Sequence, residues 1–235
     1  MTTYISKKPT KDRAKILLSI LAVALLTLFI SSSHNFVHAA PALPDPKVDE
    51  TLAPKKSQQK IVLAGGCFWG VQAVFEHVRG VNRATSGYAG GTKKNPIYEE
   101  VGTGTTGHAE SVEVVYDSSK ITLGQLLKVF FSVAHDPTQL NYQGPDHGTQ
   151  YRSAIFFQNP EQQRIAQAYI NQLNQSKIFT APIVTQLAPL NTFYRAEEYH
   201  QEFATLNPDN PYISRYDLPK IKDLQQQFPN LYVKH

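Results

Sequence analysis

The sequence contains very little sulfur. Among its 235 residues are one cysteine, Cys67, and one methionine, which is Met1. A single cysteine cannot form an internal disulfide, so the stability of the fold has to come from its packed core. Beyond Met1 the chain has no thioether, and this excludes a methionine that ligates a metal or undergoes redox chemistry.

Long apolar runs are equally scarce, and the one that stands out lies near the N-terminus. Residues 16–30 are apolar except for Ser19 and Thr27, and five basic residues precede them. Small residues around Ala39 complete the pattern of an export signal, although 15 residues are short for a membrane span, which needs about 20. Residues 1–39 are therefore predicted to be a signal peptide of an exported, periplasmic or extracytoplasmic protein. Membrane attachment is expected only if this segment stays uncleaved as a signal anchor.

The rest of the chain also lacks an excess of either charge. Residues 1–39 carry five of the 23 basic residues and one of the 19 acidic residues, which leaves 18 of each sign. A chain without net charge gives no reason to expect a nucleic-acid partner. Residues 40–59 are rich in Pro, Lys and Gln and are predicted to be a flexible linker. Residues 60–235 then fit one folded domain of ordinary size.

The only cysteine and the only tryptophan are neighbours in Gly-Cys-Phe-Trp-Gly, residues 66–70. Apolar residues at 60–64 read as a buried strand, and apolar residues after the motif recur at helical spacing, which places Cys67 at a strand-to-helix turn. Unpaired N–H groups and the positive end of the helix dipole favour an anion there and are expected to lower the pKa of the thiol. The residues alone leave two interpretations open, a reactive thiolate or a buried and inert cysteine.

The apolar pattern predicts alternating strands and helices. Residues 111–117 alternate polar and apolar side chains like a half-buried strand, and residues 123–131 repeat leucine and phenylalanine at helical spacing. From residue 60 to residue 157 the order is strand, helix, strand, strand, helix, strand. This order is typical of an α+β fold built on a split βαβ (ferredoxin-like) unit, a two-layer sandwich with helices on one face. A further helix is predicted at residues 196–206, and a long irregular C-terminal tail at residues 207–235.

Four motifs occur in a fixed order along the chain. They are Gly-Cys-Phe-Trp-Gly at 66–70, Asn-Pro-x-Tyr at 95–98, Gly-His-Ala-Glu at 107–110 and Asp-His-Gly-Thr-Gln-Tyr-Arg at 146–152. Together they resemble the motifs of the peptide methionine sulfoxide reductase A family. The resemblance covers residues 61–199 and implies that the domain reduces the S epimer of methionine sulfoxide, free or in proteins, and so repairs oxidised proteins. It also implies that no metal or organic cofactor is bound and that the reductant is an external thiol, namely thioredoxin, glutaredoxin or a small thiol. The protein is expected to be a monomer.

Two residues match the chemistry that a sulfoxide requires. The oxygen leaves only when it is protonated, so the reaction needs a soft nucleophile for sulfur and an acid for oxygen. Cys67 is the only strong soft nucleophile in the chain. Glu110 matches the family's acid, and partial burial before an apolar strand would raise its pKa and keep it protonated. Without the resemblance, a solvated glutamate at a strand end would be the simpler interpretation.

The resemblance also assigns five residues to substrate binding and orientation. Tyr98 and Tyr151 match two tyrosines that hydrogen-bond the sulfoxide oxygen. Phe68 and Trp69 match aromatic walls that hold the S-methyl group, consistent with the favourable contacts of methyl groups and sulfur with rings. Asp146 matches a carboxylate that helps orient the site and a bound water. On their own, these residue types fit core packing or a loop turn equally well.

The chain departs from the family pattern in its cysteine count. Many members carry one or two further cysteines near the C-terminus that resolve the oxidised nucleophile as a disulfide. Residues 207–235 contain none, and Gly102 lies where some members place another cysteine. A sulfenic acid on Cys67 would therefore have to be reduced by a thiol from outside the chain.

Four other functions are compatible with parts of the pattern. His108, His135 and His147 could be read with nearby carboxylates as a metal site, but they lack HExxH or any other tight ligand spacing. Cys67 and a histidine could form the nucleophile and base of a cysteine hydrolase. A binding module for oxidised methionine would keep the pocket without the chemistry, and a thiol peroxidase would react with peroxide instead.

Overall fold

A six-stranded sheet organises residues 43–234, the part of the chain that the computed structural model describes. The strands of this part are β1 (Gln58–Gly65), β2 (Val81–Ala89), β3 (Ala109–Asp117), β4 (Tyr142–Gln143), β5 (Asp146–His147), β6 (Ser153–Phe157), β7 (Gln186–Pro189) and β8 (Phe193–Arg195). Strands β4 and β5 form a separate short hairpin. Their order across the main sheet is β7-β6-β1-β3-β2-β8. Strands β6 and β7 are parallel, and every other neighbouring pair is antiparallel.

Helices of several kinds connect these strands. The π-helical segment Phe130–Ala134 continues the third α-helix, and the π-helical segment Ile213–Asp217 leads into the last one. Short 3-10 turns occupy Thr149–Tyr151 and Glu198–His200. The fold is mixed α and β, as the sequence predicts. The α-helices are α1 (Phe68–Glu76), α2 (Tyr98–Gly102), α3 (Leu123–Val129), α4 (Pro160–Ser176), α5 (Phe203–Leu206) and α6 (Leu218–Gln227).

The sheet is buried on both faces. On one face, Ile61 of β1 and Val112 of β3 belong to the main core, which the helices cover. On the other face, Val62 and Phe156 belong to a smaller apolar cluster that is packed against Phe193. The two sets alternate along each strand because successive side chains of a strand point to opposite faces. The predicted arrangement of helices on one face therefore describes the main core but leaves out the second cluster.

Residues 43–57, which the sequence predicts to be part of a flexible linker, pack against the domain. Leu43 is buried in the main core. The Asp49 carboxylate accepts a hydrogen bond from the Gly124 N–H at 2.8 Å, and so satisfies an amide of the first turn of α3. Strand β1 already begins at Gln58, within the predicted linker. The structure differs from the prediction because acidic side chains of this segment fill the unsatisfied positions at the start of a helix.

The C-terminal segment, residues 207–235, is predicted to be irregular, and this prediction is wrong where helix α6 forms. Helix α6 begins at Leu218 with Pro219 in its first turn, a position where proline costs no hydrogen bond. Leu224 of this helix is buried in the main core. The helix predicted at residues 196–206 is replaced by a 3-10 turn and the short α5. In both places a few apolar residues pack on the core, and those contacts determine the local structure.

The described residues include no helix that is long and apolar enough to cross a membrane. The predicted export signal, residues 1–39, and the first residues of the predicted linker lie outside the described part of the chain. The prediction that the protein is exported therefore stays a prediction.

Candidate active site

Cys67 lies between the end of β1 and the start of α1, where it is the N-cap residue of the helix. The predicted strand-to-helix turn is thus confirmed. Gly66 makes this turn possible, because its φ is +89° and a Cβ atom there would lie 2.5 Å from the Gln143 side chain. The thiol is free, and only 8% of Cys67 is exposed. The turn therefore holds the sulfur just below the molecular surface.

Glu110 lies beside the same helix start. It is only 2% exposed, and its Oε2 accepts a hydrogen bond from the Phe68 N–H at 3.0 Å. Burial raises the pKa of Glu110 to about 8, the Phe68 hydrogen bond opposes this rise, and the negative charges of Asp146 and Asp217 add to it. The interpretation as a solvated glutamate is therefore wrong. At neutral pH Glu110 is a protonated acid next to Cys67, as its burial led us to expect.

The pKa of the Cys67 thiol, in contrast, moves opposite to the expectation from the helix dipole. Burial raises this pKa well above its usual range, and the negative charges of Glu110 and Asp217 raise it further. A hydrogen bond from the Trp69 backbone and the positive charge of Lys220 lower it, but by less. Desolvation raises the pKa by more than the hydrogen bond and the Lys220 charge lower it, because the sulfur is enclosed by the fold. Cys67 is therefore a neutral thiol at rest, and the Glu110 contribution disappears while Glu110 is protonated.

Two predicted tyrosines lie close enough to Glu110 and Cys67 for their charges to act on them. Tyr98 begins α2, and burial together with the charges of Glu110 and Cys67 raises its pKa to about 12. Tyr151 ends the 3-10 turn after β5, and its pKa is raised by burial, then by Glu110 and Tyr98. Both phenols stay protonated at neutral pH and keep their ability to donate a hydrogen bond. Their sensitivity to the charge of Glu110 places both tyrosines around one site.

Asp146 reaches this site through a partner that sequence reasoning missed. Its Oδ2 accepts a short hydrogen bond from the hydroxyl group of Tyr212. The pKa of Tyr212 is raised by burial and by the charge of Cys67, so this tyrosine lies near the thiol as well. Asp146 and Tyr212 are 66 residues apart in sequence. No local pattern could have connected them, because the contact forms only when the C-terminal segment packs against the strands.

The two predicted aromatic walls differ in environment. Phe68 is 1% exposed, and its ring centroid lies 6.5 Å from that of Tyr98. The indole Nε1–H of Trp69 donates a hydrogen bond to His200 Nδ1 at 3.2 Å, and the Trp69 ring stacks on Phe203 at 4.0 Å. Sequence reasoning missed both His200 and Phe203. Together these rings form an apolar wall next to Cys67 that is suited to a methyl group.

The three histidines that suggested a metal site or a cysteine hydrolase make other contacts in the structure. His108 bonds the Gly91 N–H and the Lys93 carbonyl through its two ring nitrogens. His135 contacts the Ser153 hydroxyl at 2.7 Å and the Phe130 carbonyl at 3.2 Å, and burial lowers its pKa to about 4. His147 stacks on Tyr142. Within residues 43–234, no group of three or more His, Cys, Asp or Glu side chains could hold a metal ion.

The raised pKa of Glu110 predicts a stability effect that does not depend on catalysis. Because its folded pKa of about 8 exceeds the unfolded value, the folded state loses stability as pH rises through this interval. We expect Glu110→Gln to be more stable than the wild type at pH 9 by on the order of 3–5 kcal/mol, and nearly equal to it near pH 4. Denaturant unfolding at the two pH values measures the difference.

Glu113→Gln is the matched control for this prediction, since Glu113 lies on the same strand but pairs with Lys60 at 3.1 Å. It should not reproduce the gain at pH 9. An equal effect of Glu110→Gln at both pH values would contradict the raised pKa.

Comparison with known proteins agrees with this geometry. A family model described as peptide methionine sulfoxide reductase matches residues 59–231. A Mesorhizobium japonicum protein named peptide methionine sulfoxide reductase MsrA 2 is 61% identical over 185 residues, which are 79% of this chain and 94% of that protein. A Synechocystis protein of the same name is 48% identical over 210 residues, 88% of this chain and 95% of that one.

Two solved structures are similar to the chain in three dimensions. Reduced Mxr1 from Saccharomyces cerevisiae aligns with a TM-score of 0.62 and 34% identity, over 70% of this chain and 92% of that one. Methionine sulfoxide reductase A of Corynebacterium diphtheriae aligns with a TM-score of 0.57 and 37% identity, over 72% of this chain and 85% of that one. The likeness thus extends from single motifs to most of the fold.

Proposed function

We propose that Cys67 is the nucleophile of this chain. The chain belongs to the peptide methionine sulfoxide reductase A family. It is an oxidoreductase that reduces methionine sulfoxide and so serves the repair of oxidised proteins. One observation carries the proposal. A buried carboxyl group that is protonated at neutral pH lies against the helix start that Cys67 caps. A soft nucleophile and an acid are the two groups that removal of a sulfoxide oxygen requires.

The acid acts on the oxygen. Glu110 donates its proton to the sulfoxide oxygen, and the hydroxyl groups of Tyr98 and Tyr151 donate hydrogen bonds to the same atom. Two features support these roles, the pKa of about 8 for Glu110 and the raised pKa values that keep both phenols protonated. Asp146, held by Tyr212, helps to orient the site, and its charge favours the protonated form of Glu110.

The thiol acts on the sulfur. Cys67 Sγ forms a bond to the sulfoxide sulfur while its own proton goes to Glu110, and the protonated oxygen leaves that sulfur as water. Water then attacks Cys67 Sγ and breaks the S–S bond, so methionine departs with the electron pair, the released proton returns to the site, and the oxygen ends on the cysteine. The products are methionine and a Cys67 sulfenic acid, so the reaction consumes one thiol and one sulfoxide without net uptake of protons. The methyl group packs against Phe68 and Trp69, and this fixed placement is the basis on which we propose selectivity for the S epimer.

Recycling requires thiols from outside the chain. Because Cys67 is the only cysteine, no second thiol of the chain can attack its sulfenic acid. One external thiol forms a mixed disulfide and releases water, and a second thiol frees Cys67 and leaves the external disulfide. Thioredoxin, glutaredoxin and small thiols are the classes of reductant that fit this sequence of steps. The protein itself is proposed to work as a monomer without a bound cofactor.

This recycling scheme predicts the stoichiometry of the reaction. Without reductant we expect a burst of one methionine per protein, and with a monothiol we expect two thiols consumed for each methionine. Quantifying methionine and disulfide in the same samples measures both ratios. Repeated turnover without thiol, or with a reductant that contains no thiol, would contradict the scheme.

Two finer expectations extend this proposal. Strands β1 and β2 both pair antiparallel with β3 between them and are joined through α1, which supports assigning the sheet to the split βαβ (ferredoxin-like) type. Export of the protein, directed by residues 1–39, would place the repair in an oxidising compartment where free thiols are rare. The reductant there would have to be delivered by another protein or a transported thiol.

A further inference from the structure

We propose that Asp217 and Lys220 form a positioning pair that balances the charge beside Cys67, with Lys220 favouring its thiolate and Asp217 opposing it. The inference rests on the proposed role of Cys67 as the nucleophile. It concerns the C-terminal segment that other family members use for further cysteines, and neither residue belongs to the four motifs of the family.

The pair lies against the first turn of α1. Lys220 Nζ is 3.1 Å from Asp217 Oδ1, and the Asp217 side chain is fully buried while 20% of the Lys220 side chain is exposed. A Cβ atom on Gly70 would lie 2.1 Å from Asp217 Oδ1 and 2.7 Å from Lys220 Nζ. Gly70 therefore has to be a glycine for the pair to fit. The Gly-Cys-Phe-Trp-Gly motif that contains Cys67 therefore also contacts the pair of Asp217 and Lys220 through Gly70.

The ion pair leaves part of the Asp217 charge uncompensated. Its Oδ2 atom is buried and has no hydrogen-bond partner in residues 43–234. An unpaired buried carboxylate oxygen is costly, and the contact with Lys220 does not remove that cost. The remaining negative charge acts on the neighbouring groups. Asp217 raises the pKa of Cys67 and that of Glu110, whereas Lys220 lowers the pKa of Cys67.

Among the charged groups that shift the pKa of the Cys67 thiol, Lys220 is the cation and the others are acidic. His135, which lies beside the end of β1, is neutral at physiological pH because burial lowers its pKa to about 4. When Glu110 gives its proton to the substrate, the site gains a negative charge that Lys220 can offset. The other titratable groups whose charges couple to Cys67 are Glu110 on β3, Tyr98 on α2, Tyr151 on the 3-10 turn, and Tyr212 and Asp217 on the C-terminal segment. Asp146 on β5 acts on Glu110.

The test is a pH titration of the thiol by alkylation with iodoacetamide. Cys67 is the only cysteine, so every alkylated molecule reports on it. We expect Lys220→Gln to move the midpoint of reactivity to higher pH and Asp217→Asn to move it to lower pH. At a fixed pH below the midpoint, the rate should change by roughly threefold or more in opposite directions. Lys220→Arg should restore the wild-type profile, and Lys222→Gln, on the exposed side of α6, should leave it unchanged.

A role in charge balance and a role in folding give different results. Opposite shifts in correctly folded single variants, with a lower rate of methionine formation in Lys220→Gln at unchanged KM, would support the proposal. Shifts in the same direction, or no shift in a folded variant, would overturn it. If Lys220→Gln does not fold, Lys220→Met keeps the length of the stem and carries the same expectation. Failure of both neutral variants to fold would show a structural role and would also overturn it.

The alkylation profile does not depend on sulfoxide reduction, so the two proposals can fail separately. Wild-type protein that forms no methionine but shows opposite shifts in the variants would overturn the proposed function alone. Normal methionine formation without shifts would overturn the role of the pair alone.

Discussion

Glu110→Gln is expected to slow the formation of methionine in a single turnover by about 10²- to 10⁴-fold while the protein still binds the sulfoxide. Glutamine has the same shape and can accept the Phe68 N–H bond that Glu110 Oε2 now accepts at 3.0 Å. It has no proton to give to the oxygen, so only the acid is lost. Rapid mixing with excess methionine sulfoxide, followed by quantification of methionine, measures the rate.

The pH dependence of the same step separates an acid from a structural carboxyl group. Burial raises the pKa of Glu110 to about 8, so the wild-type rate should fall as pH rises through this value and Glu110 ionises. The residual rate of Glu110→Gln should show no such fall. Glu113→Gln, on the same strand, should behave like the wild type. A wild-type rate in Glu110→Gln would refute the acid role.

Cys67→Ser is expected to reduce methionine formation by a factor of about 10⁴ or more, to the level of the uncatalysed reaction. The hydroxyl group is a poor nucleophile for sulfur, and the chain contains no other cysteine that could take over. Binding should survive because Phe68, Trp69 and the tyrosines are unchanged. The fluorescence of Trp69, the only tryptophan, reports binding in the same variant.

Cys67→Ala separates the nucleophile from its hydrogen-bonding capacity and should be equally inactive. Measurable turnover in either variant would mean that oxygen leaves the sulfoxide by a route that does not involve the thiol. Loss of sulfoxide binding together with activity would instead make Cys67 a packing residue.

Local features of the site could be predicted from the sequence because their causes are local. The apolar residues before Cys67 and the helical spacing after it place the thiol at a turn, and α1 does begin at Phe68. Glu110 lies near the start of an apolar strand, and its burial follows from that position. In both cases the residues within about one helical turn or strand contain the information.

Residues brought in by the C-terminal segment could not be predicted in this way. Tyr212 is hydrogen-bonded to Asp146, and Asp217 packs against Gly70. In each pair the two residues are far apart in the sequence and are brought together only by tertiary packing. Helix α6 was missed because its polar composition hides the buried Leu224. The pKa of Cys67 was expected to fall because the helix terminus is visible in the sequence, whereas the enclosure of the sulfur is not.

The most direct measurement of the central claim is the intact mass of the wild-type protein after reaction with excess racemic methionine sulfoxide in the absence of reductant, with and without a sulfenic-acid trap. We expect one oxygen on Cys67, one methionine released per protein, and one epimer of the sulfoxide left untouched. An unmodified thiol with no methionine formed would contradict the account, because Cys67 would then not have taken the oxygen from the sulfoxide.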